Sequence, residues 1–185
     1  MIWNEILCLG DSITYGARDR YRRSYPAELG KLLYEQTGEF YYCHNYGVCG
    51  DTSSDLRKKA WNLSKSHKDA KIALIMIGTN DTQLAIPEHI YEDNLRQIIG
   101  TVRIHGKLPI VANLPELLFT PLYMKNKNYI QKYNKILYAL SKKMDFEICD
   151  MSNTEQYYID NVHYTHEGYN EIASRFAKKI LSLGD

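Results

Sequence analysis

The sequence has little of what marks most specialised classes. Its longest apolar stretch, Ile72–Ile77, is the size of a strand and far short of the roughly 20 residues a membrane helix needs. The N-terminal residues carry no basic n-region and too short an apolar run for a signal peptide. Lys and Arg number 23 against 22 Asp and Glu, a formal net charge of +1, so no long-range field draws in nucleic acid or anionic lipid. The four cysteines, Cys8, Cys43, Cys49 and Cys149, lack C-x-x-C spacing and a His-rich partner segment, so no zinc site is expected. Three of them lie in or beside apolar runs, where a free thiol behaves as a small hydrophobe, and a reduced, cytoplasmic protein is the expectation. No G-x-S-x-G elbow is present, which argues against the larger α/β-hydrolase class. Repeats, low-complexity linkers and composition breaks are missing too, so residues 1–185 read as one domain. Oligomeric state is not readable from the sequence.

What is present is an alternation of strand and helix patterns. Short apolar runs at Glu5–Leu9, Phe40–Tyr46, Ile72–Ile77, Pro109–Asn113 and Phe146–Asp150 are each bounded by Gly, Asn, Asp or Pro, as buried strands are. Helical spacing runs over Pro26–Gln36, with Gly38 as its stop, and over Tyr91–Ile104, Tyr129–Met144 and Thr165–Leu183. Five buried strands joined by helices imply a parallel sheet covered on both faces: a flavodoxin-like, three-layer α/β/α sandwich. The least patterned stretches, Pro115–Asn128 and Met151–Tyr164, follow strands and should border the site, which in open parallel sheets lies beyond the carboxyl ends of the strands.

Four constellations sit at those ends. Gly10-Asp11-Ser12 follows the first strand; glycines allow the tight turn an exposed nucleophilic hydroxyl needs, although a lone serine there could simply cap a helix. Gly50-Asp51-Thr52 follows the second, where a glycine can turn its N–H towards a developing oxyanion, and Asp51 or Thr52 could cap a helix running through Ser66. Gly78-Thr79-Asn80-Asp81 follows the third, and an Asn amide donates hydrogen bonds without carrying charge. Asp160 and His163 lie three residues apart before the last helix, with Thr165 as its N-cap, so a turn could set the carboxylate on the imidazole. His166 is the competing base, but it falls in the first helical turn, pointing away from Asp160, and reads as a surface or supporting residue. Together the four segments hold nucleophile, backbone donor, amide donor and oriented base, the inventory for acyl transfer.

This set resembles the SGNH, or GDSL, hydrolase family across nearly the whole chain. Gly10-Asp11-Ser12 matches the first block, with Ile13 where Leu is usual. Gly50 falls on the second-block glycine, and Gly50-Asp51-Thr52-Ser53 is similar to that block in bacterial thioesterase/lysophospholipases. Gly78-Thr79-Asn80-Asp81 meets the third block, and Asp160 to His163 the last. The resemblance implies an esterase without metal or cofactor, in which Ser12 attacks, His163 is base then acid, Asp160 orients it, and Ser12 N–H, Gly50 N–H and Asn80 form the oxyanion hole. Tyr164 departs from the Pro or Leu of many members and bears on pocket shape. Tyr15, Tyr157, Tyr158 and Tyr164 lie near the motifs and could stack on a sugar or line an acyl slot; Tyr15 and Tyr164 are the candidate substrate contacts. The expected partner is a small-molecule ester: an acetylated sugar, a lysophospholipid or a thioester. An acyl or acetyl transferase using the same residues and a catalytically silent α/β binding domain are the alternatives.

Overall fold

A computed structural model describes residues 4–21, 23–117 and 121–183, with the backbone alone for 121–127. The strands are β1 (Asn4–Gly10), β2 (Tyr41–Gly47), β3 (Ala70–Met76), β4 (Leu108–Ala112) and β5 (Glu147–Cys149). The helices are α1 (Ser12–Tyr15), α2 (Tyr25–Thr37), α3 (Ser53–Ser66), α4 (Thr79–Gln83), α5 (Glu88–Ile104), α6 (Pro121–Met144) and α7 (His166–Leu181). All strands pair in parallel in the order β2-β1-β3-β4-β5, so β1 lies at the point where the winding reverses, the place where open α/β sheets bind ligands.

Alternation along the strands divides the interior into two cores. Leu7, Leu9, Ala73 and Ile75 face α3, α5 and α6, packing with Leu56, Ile98 and Tyr133. Ile6, Cys8, Leu74 and Met76 face α2 and α7, packing with Leu29, Leu33 and Phe176. Burying an aliphatic or aromatic side chain of this size stabilises by about 1.5–3 kcal/mol, so these two layers hold the strand ends in place. The expected three-layer sandwich is therefore the architecture found.

Several elements differ from the expectation. β5 is three residues long, shorter than Phe146–Asp150. α6 begins at Pro121 instead of Tyr129, because proline suits the first helical position while the polar Lys125–Asn128 run shows no apolar spacing. It thus takes in much of Pro115–Asn128, read as a loop. The one-turn helices α1 and α4 are too short for periodicity to reveal. Among the described residues, no helix is long and apolar enough to cross a membrane.

Candidate active site

Ser12 opens α1 directly beyond β1. Its predecessor Asp11 is the N-cap, accepting a hydrogen bond from the Ile13 N–H at 2.9 Å, so Asp11, not Ser12, caps the turn. The second Asp11 oxygen is buried with no hydrogen-bond partner among the described residues. Burial, with the Asp81 and Asp51 charges adding to it against the Ile13 hydrogen bond, pushes this carboxyl up to about 7. Gly47, at the end of β2, lies so close to this turn that a Cβ there would sit 2.0 Å from the Tyr15 nitrogen; only glycine lets the strand and α1 meet.

Asp160 and His163 come together through a local turn. Asp160 Oδ1 accepts the backbone N–H groups of Val162 and His163 at 2.8 and 2.7 Å, an arrangement typical of Asp in turns. That leaves Oδ2 for His163 Nδ1, at 2.8 Å. Burial alone would raise the Asp160 pKa, but the backbone and ring of His163 and the Val162 N–H outweigh it and hold the carboxyl at about 2. The loop itself is braced by Ile159 N–H donating to the His163 carbonyl and Thr165 N–H to the Tyr157 carbonyl, both at 2.8 Å. From there His163 Nε2 reaches across to Ser12 Oγ at 3.0 Å. Ser12, Asp160 and His163 are thus joined in one hydrogen-bonded chain.

Opposite this chain, Asn80 and Gly50 are brought to the same cleft by long-range contacts. Asn80 Nδ2 donates to the Asp51 carbonyl at 2.9 Å, which leaves the second amide hydrogen for another acceptor. Gly50 has φ +84°, in the left-handed region that glycine enters without strain. Behind them, the buried Asp81 carboxylate accepts from Ser53 N–H at 2.8 Å and Ser53 Oγ at 2.5 Å, and Asn94 Nδ2 donates to that same Ser53 Oγ at 2.9 Å. This clamp locks α4 to the start of α3. Thr52 caps α3 in a capping box with Asp55.

A cleft of about 490 Å³ opens over these groups, with Ser12, Gly50, Asn80 and His163 at its base and Tyr15, Arg18 and Gln83 on its walls. Tyr15, one of the two candidate substrate contacts, thus lines the cleft. Tyr164 does not, and that expectation is corrected: it is fully buried, its hydroxyl bonded to Thr154 Oγ1 at 2.7 Å, because it packs in the α2/α7 core beside Tyr169. Tyr158 donates to the Glu116 carbonyl at 3.1 Å, tying the two loops that follow β4 and β5. The rest of the Pro115–Asn128 stretch, expected to border the site, lies largely outside the described side chains. Thr165 is the N-cap of α7, and His166 pairs with Asp19 at 3.2 Å, away from Asp160. Sequence reasoning missed three contributors: the Ser53 and Asn94 partners of Asp81, and Arg18, whose guanidinium lies 3.3 Å from Asp160. None has a motif spacing that betrays it.

This three-layer sheet, with its site at the carboxyl edge, is the SGNH hydrolase fold. The chain is similar to TesA (TM-score 0.84, 18% identity, covering 97% of this chain and 99% of that one). It is also similar to Est24, a carbohydrate acetylesterase from Sinorhizobium meliloti (0.82, 19%, 97% and 99%), and to a catalytic mutant of Axe2, an acetylxylan esterase from Geobacillus stearothermophilus (0.81, 20%, 96% and 94%). At these identities the likeness establishes the fold. No curated protein matches the sequence significantly. The model of the GDSL-like lipase/acylhydrolase family matches residues 8–170, and the chain belongs to that family. It is a carboxylic ester hydrolase.

Proposed function

We propose that the chain hydrolyses small or single-chain acyl esters through an acyl-enzyme on Ser12, with His163 as base and Asp160 as its orienting carboxylate. The observation that carries this reading is the unbroken chain from Ser12 Oγ to His163 Nε2 (3.0 Å) and from His163 Nδ1 to Asp160 (2.8 Å), the geometry by which an imidazole takes a serine proton while a carboxylate holds its other nitrogen. Ser12 Oγ adds to the ester carbonyl as its proton passes to His163 Nε2. The resulting oxyanion accepts hydrogen bonds from the Ser12 and Gly50 N–H groups and the Asn80 amide. The intermediate collapses, breaking the acyl–oxygen bond, and the leaving alcohol takes the proton back from His163. Water then enters, loses a proton to the same imidazole and attacks the acyl-enzyme, releasing the acid and restoring Ser12.

A cleft of about 490 Å³, walled by Tyr15 and Gln83, suits a compact acyl group on an alcohol that projects outwards. The acetylesterase neighbours support acetylated carbohydrate as the first substrate class to try. The four unpaired cysteines support action in a reducing, cytoplasmic compartment. The test is Ser12→Ala measured against nitrophenyl esters of increasing chain length, acetylated sugars and acyl-CoA. Turnover of the cleaved substrate should fall by at least about 10⁴ and labelling by a fluorophosphonate should vanish. Retention of either property by the variant overturns the assignment.

A further inference from the structure

At the other end of β1 from the cleft, three ligand-type side chains converge from distant parts of the chain. Glu5 is the second residue of β1, His44 lies on β2, and His67 is the C-cap of α3. Strand alternation directs Glu5 to the sheet face that carries Leu7 and Leu9. His44, alternating with Cys43 of the opposite core, shares that face and meets the end of α3. Each of the three offers one ligand atom, and these atoms all lie within 4.8 Å of one another. Glu5 Oε2 and His44 Nε2 are 2.8 Å apart, and the two imidazole rings have centroids at 4.1 Å. All three residues are half-buried.

We propose that Glu5, His44 and His67 form a binding site for one divalent transition-metal ion of the zinc class, distinct from the ester-cleaving cleft. Two imidazole nitrogens and one carboxylate oxygen are the donors such ions prefer, whereas calcium and magnesium take oxygen almost throughout. The neighbouring Lys107 ammonium donates to the His67 carbonyl at 2.6 Å, so the ion would be held by its bonds to imidazole nitrogen and carboxylate oxygen and not by the local field.

The surroundings hold the rings ready. The Tyr46 hydroxyl is hydrogen-bonded to His67 Nε2 at 2.6 Å, and Tyr42 packs edge-on against His44. A tetrahedral ion with bonds of about 2.1 Å holds its ligand atoms about 3.4 Å apart, so the Glu5–His44 pair, at 2.8 Å, opens by roughly half an ångström and a pair at the 4.8 Å limit closes by about 1.4 Å, both within the reach of side-chain rotation. Water would complete the coordination. Glu5 lies five residue steps from Gly10, about 16 Å at 3.3 Å each, so the ion would brace β1, β2 and α3 without touching Ser12.

The whole chain, stripped with a chelator and freed of it, is titrated with zinc chloride by calorimetry and with cobalt chloride by visible absorption. One ion per chain is expected, with a rise in Tm of about 5–10 °C at a hundredfold excess over Kd. His44→Ala, His67→Ala and His67→Gln, each checked for folding by circular dichroism, should bind at least about 100-fold more weakly, and Glu5→Gln about 10-fold. The proposal fails if the wild-type chain takes up neither ion. It fails equally if the folded His44 and His67 variants bind as tightly as wild type, which would leave a plain Glu5–His44 ion pair beside a Tyr46–His67 hydrogen bond. Loss of binding in His163→Ala alone would move the ion to the cleft and overturn it as well.

Discussion

The two sides of the cleft are assembled by different means. On one side, Asp160 and His163 are three residues apart and a single carboxylate makes the turn that joins them: one oxygen gathers two backbone N–H groups and the other takes the ring. On the other, Gly50 and Asn80 come from different strand ends and meet because the Asp81 carboxylate grips Ser53, 28 residues away in the chain, while Asn80 grips Asp51. The local side is built by one residue's hydrogen-bonding capacity. The opposite side depends on the whole sheet being in register first. A function can therefore be broken at one residue on the first side, but on the second it should loosen gradually as the clamp is dismantled.

The largest expected effect tests the local side. Asp160→Asn keeps the shape of the turn but removes the charge that favours the correct tautomer and the imidazolium, and turnover should drop by about 10³–10⁴ with the fold intact. A drop of less than tenfold would mean that His163 needs no carboxylate. Next comes the far side. Asn80→Ala removes one candidate oxyanion donor, and kcat should fall by about 10²–10³ with KM little changed; a purely raised KM would assign Asn80 to substrate binding instead.

Smaller again, and different in kind, is Ser53→Ala. It leaves the buried Asp81 carboxylate with one donor fewer and should cost about 1–3 kcal/mol in urea unfolding. A parallel loss of kcat would show that the clamp positions Asn80, whereas unchanged kcat would confine it to stability. The mildest effect on activity is expected from Asp11→Asn, which acts on stability through pH. The folded-state pKa of Asp11 is raised by burial from 3.8 to about 7. The stability linked to its proton is therefore fully present below about pH 4 and is lost as pH rises through 7. The Asn variant lacks this dependence, so its urea midpoint should gain on wild type between pH 5 and pH 8. Identical pH slopes for the two proteins would refute a perturbed Asp11.

How much of this was legible beforehand follows the same division. The strands were readable because most centre on a short apolar run, with five of the seven residues of β3 buried; β2, expected to be buried like the others, carries His44 and Asn45 and has no buried residue, because it lies at the edge of the sheet. Thr165 was readable as a cap because a hydroxyl before a helical pattern has a local job, whereas the choice between Asp51 and Thr52 at α3 falls to Thr52 only in the structure. The helical pattern sets His166 in the first turn, pointing away from Asp160, and in the structure His166 faces Asp19. Tyr164 was misjudged because closeness to His163 in sequence says nothing about the side of the turn a ring takes, and here the α2/α7 core claims it. The one-turn helices α1 and α4 stayed hidden because four or five residues cannot display a 3.6-residue period.

By itself, then, the sequence determined the layered α/β architecture, the placement of three polar segments at strand ends, and the Asp160–His163 turn before the last helix, since all three depend on periodicity or on contacts a few residues long. Only the tertiary structure decided that Ser12 lies within hydrogen-bond reach of a histidine 151 residues later, that Asp81 clamps Ser53, and that Glu5, His44 and His67 share one spot. Those contacts join residues whose separation along the chain carries no regular spacing. They exist because strand order and register bring them together.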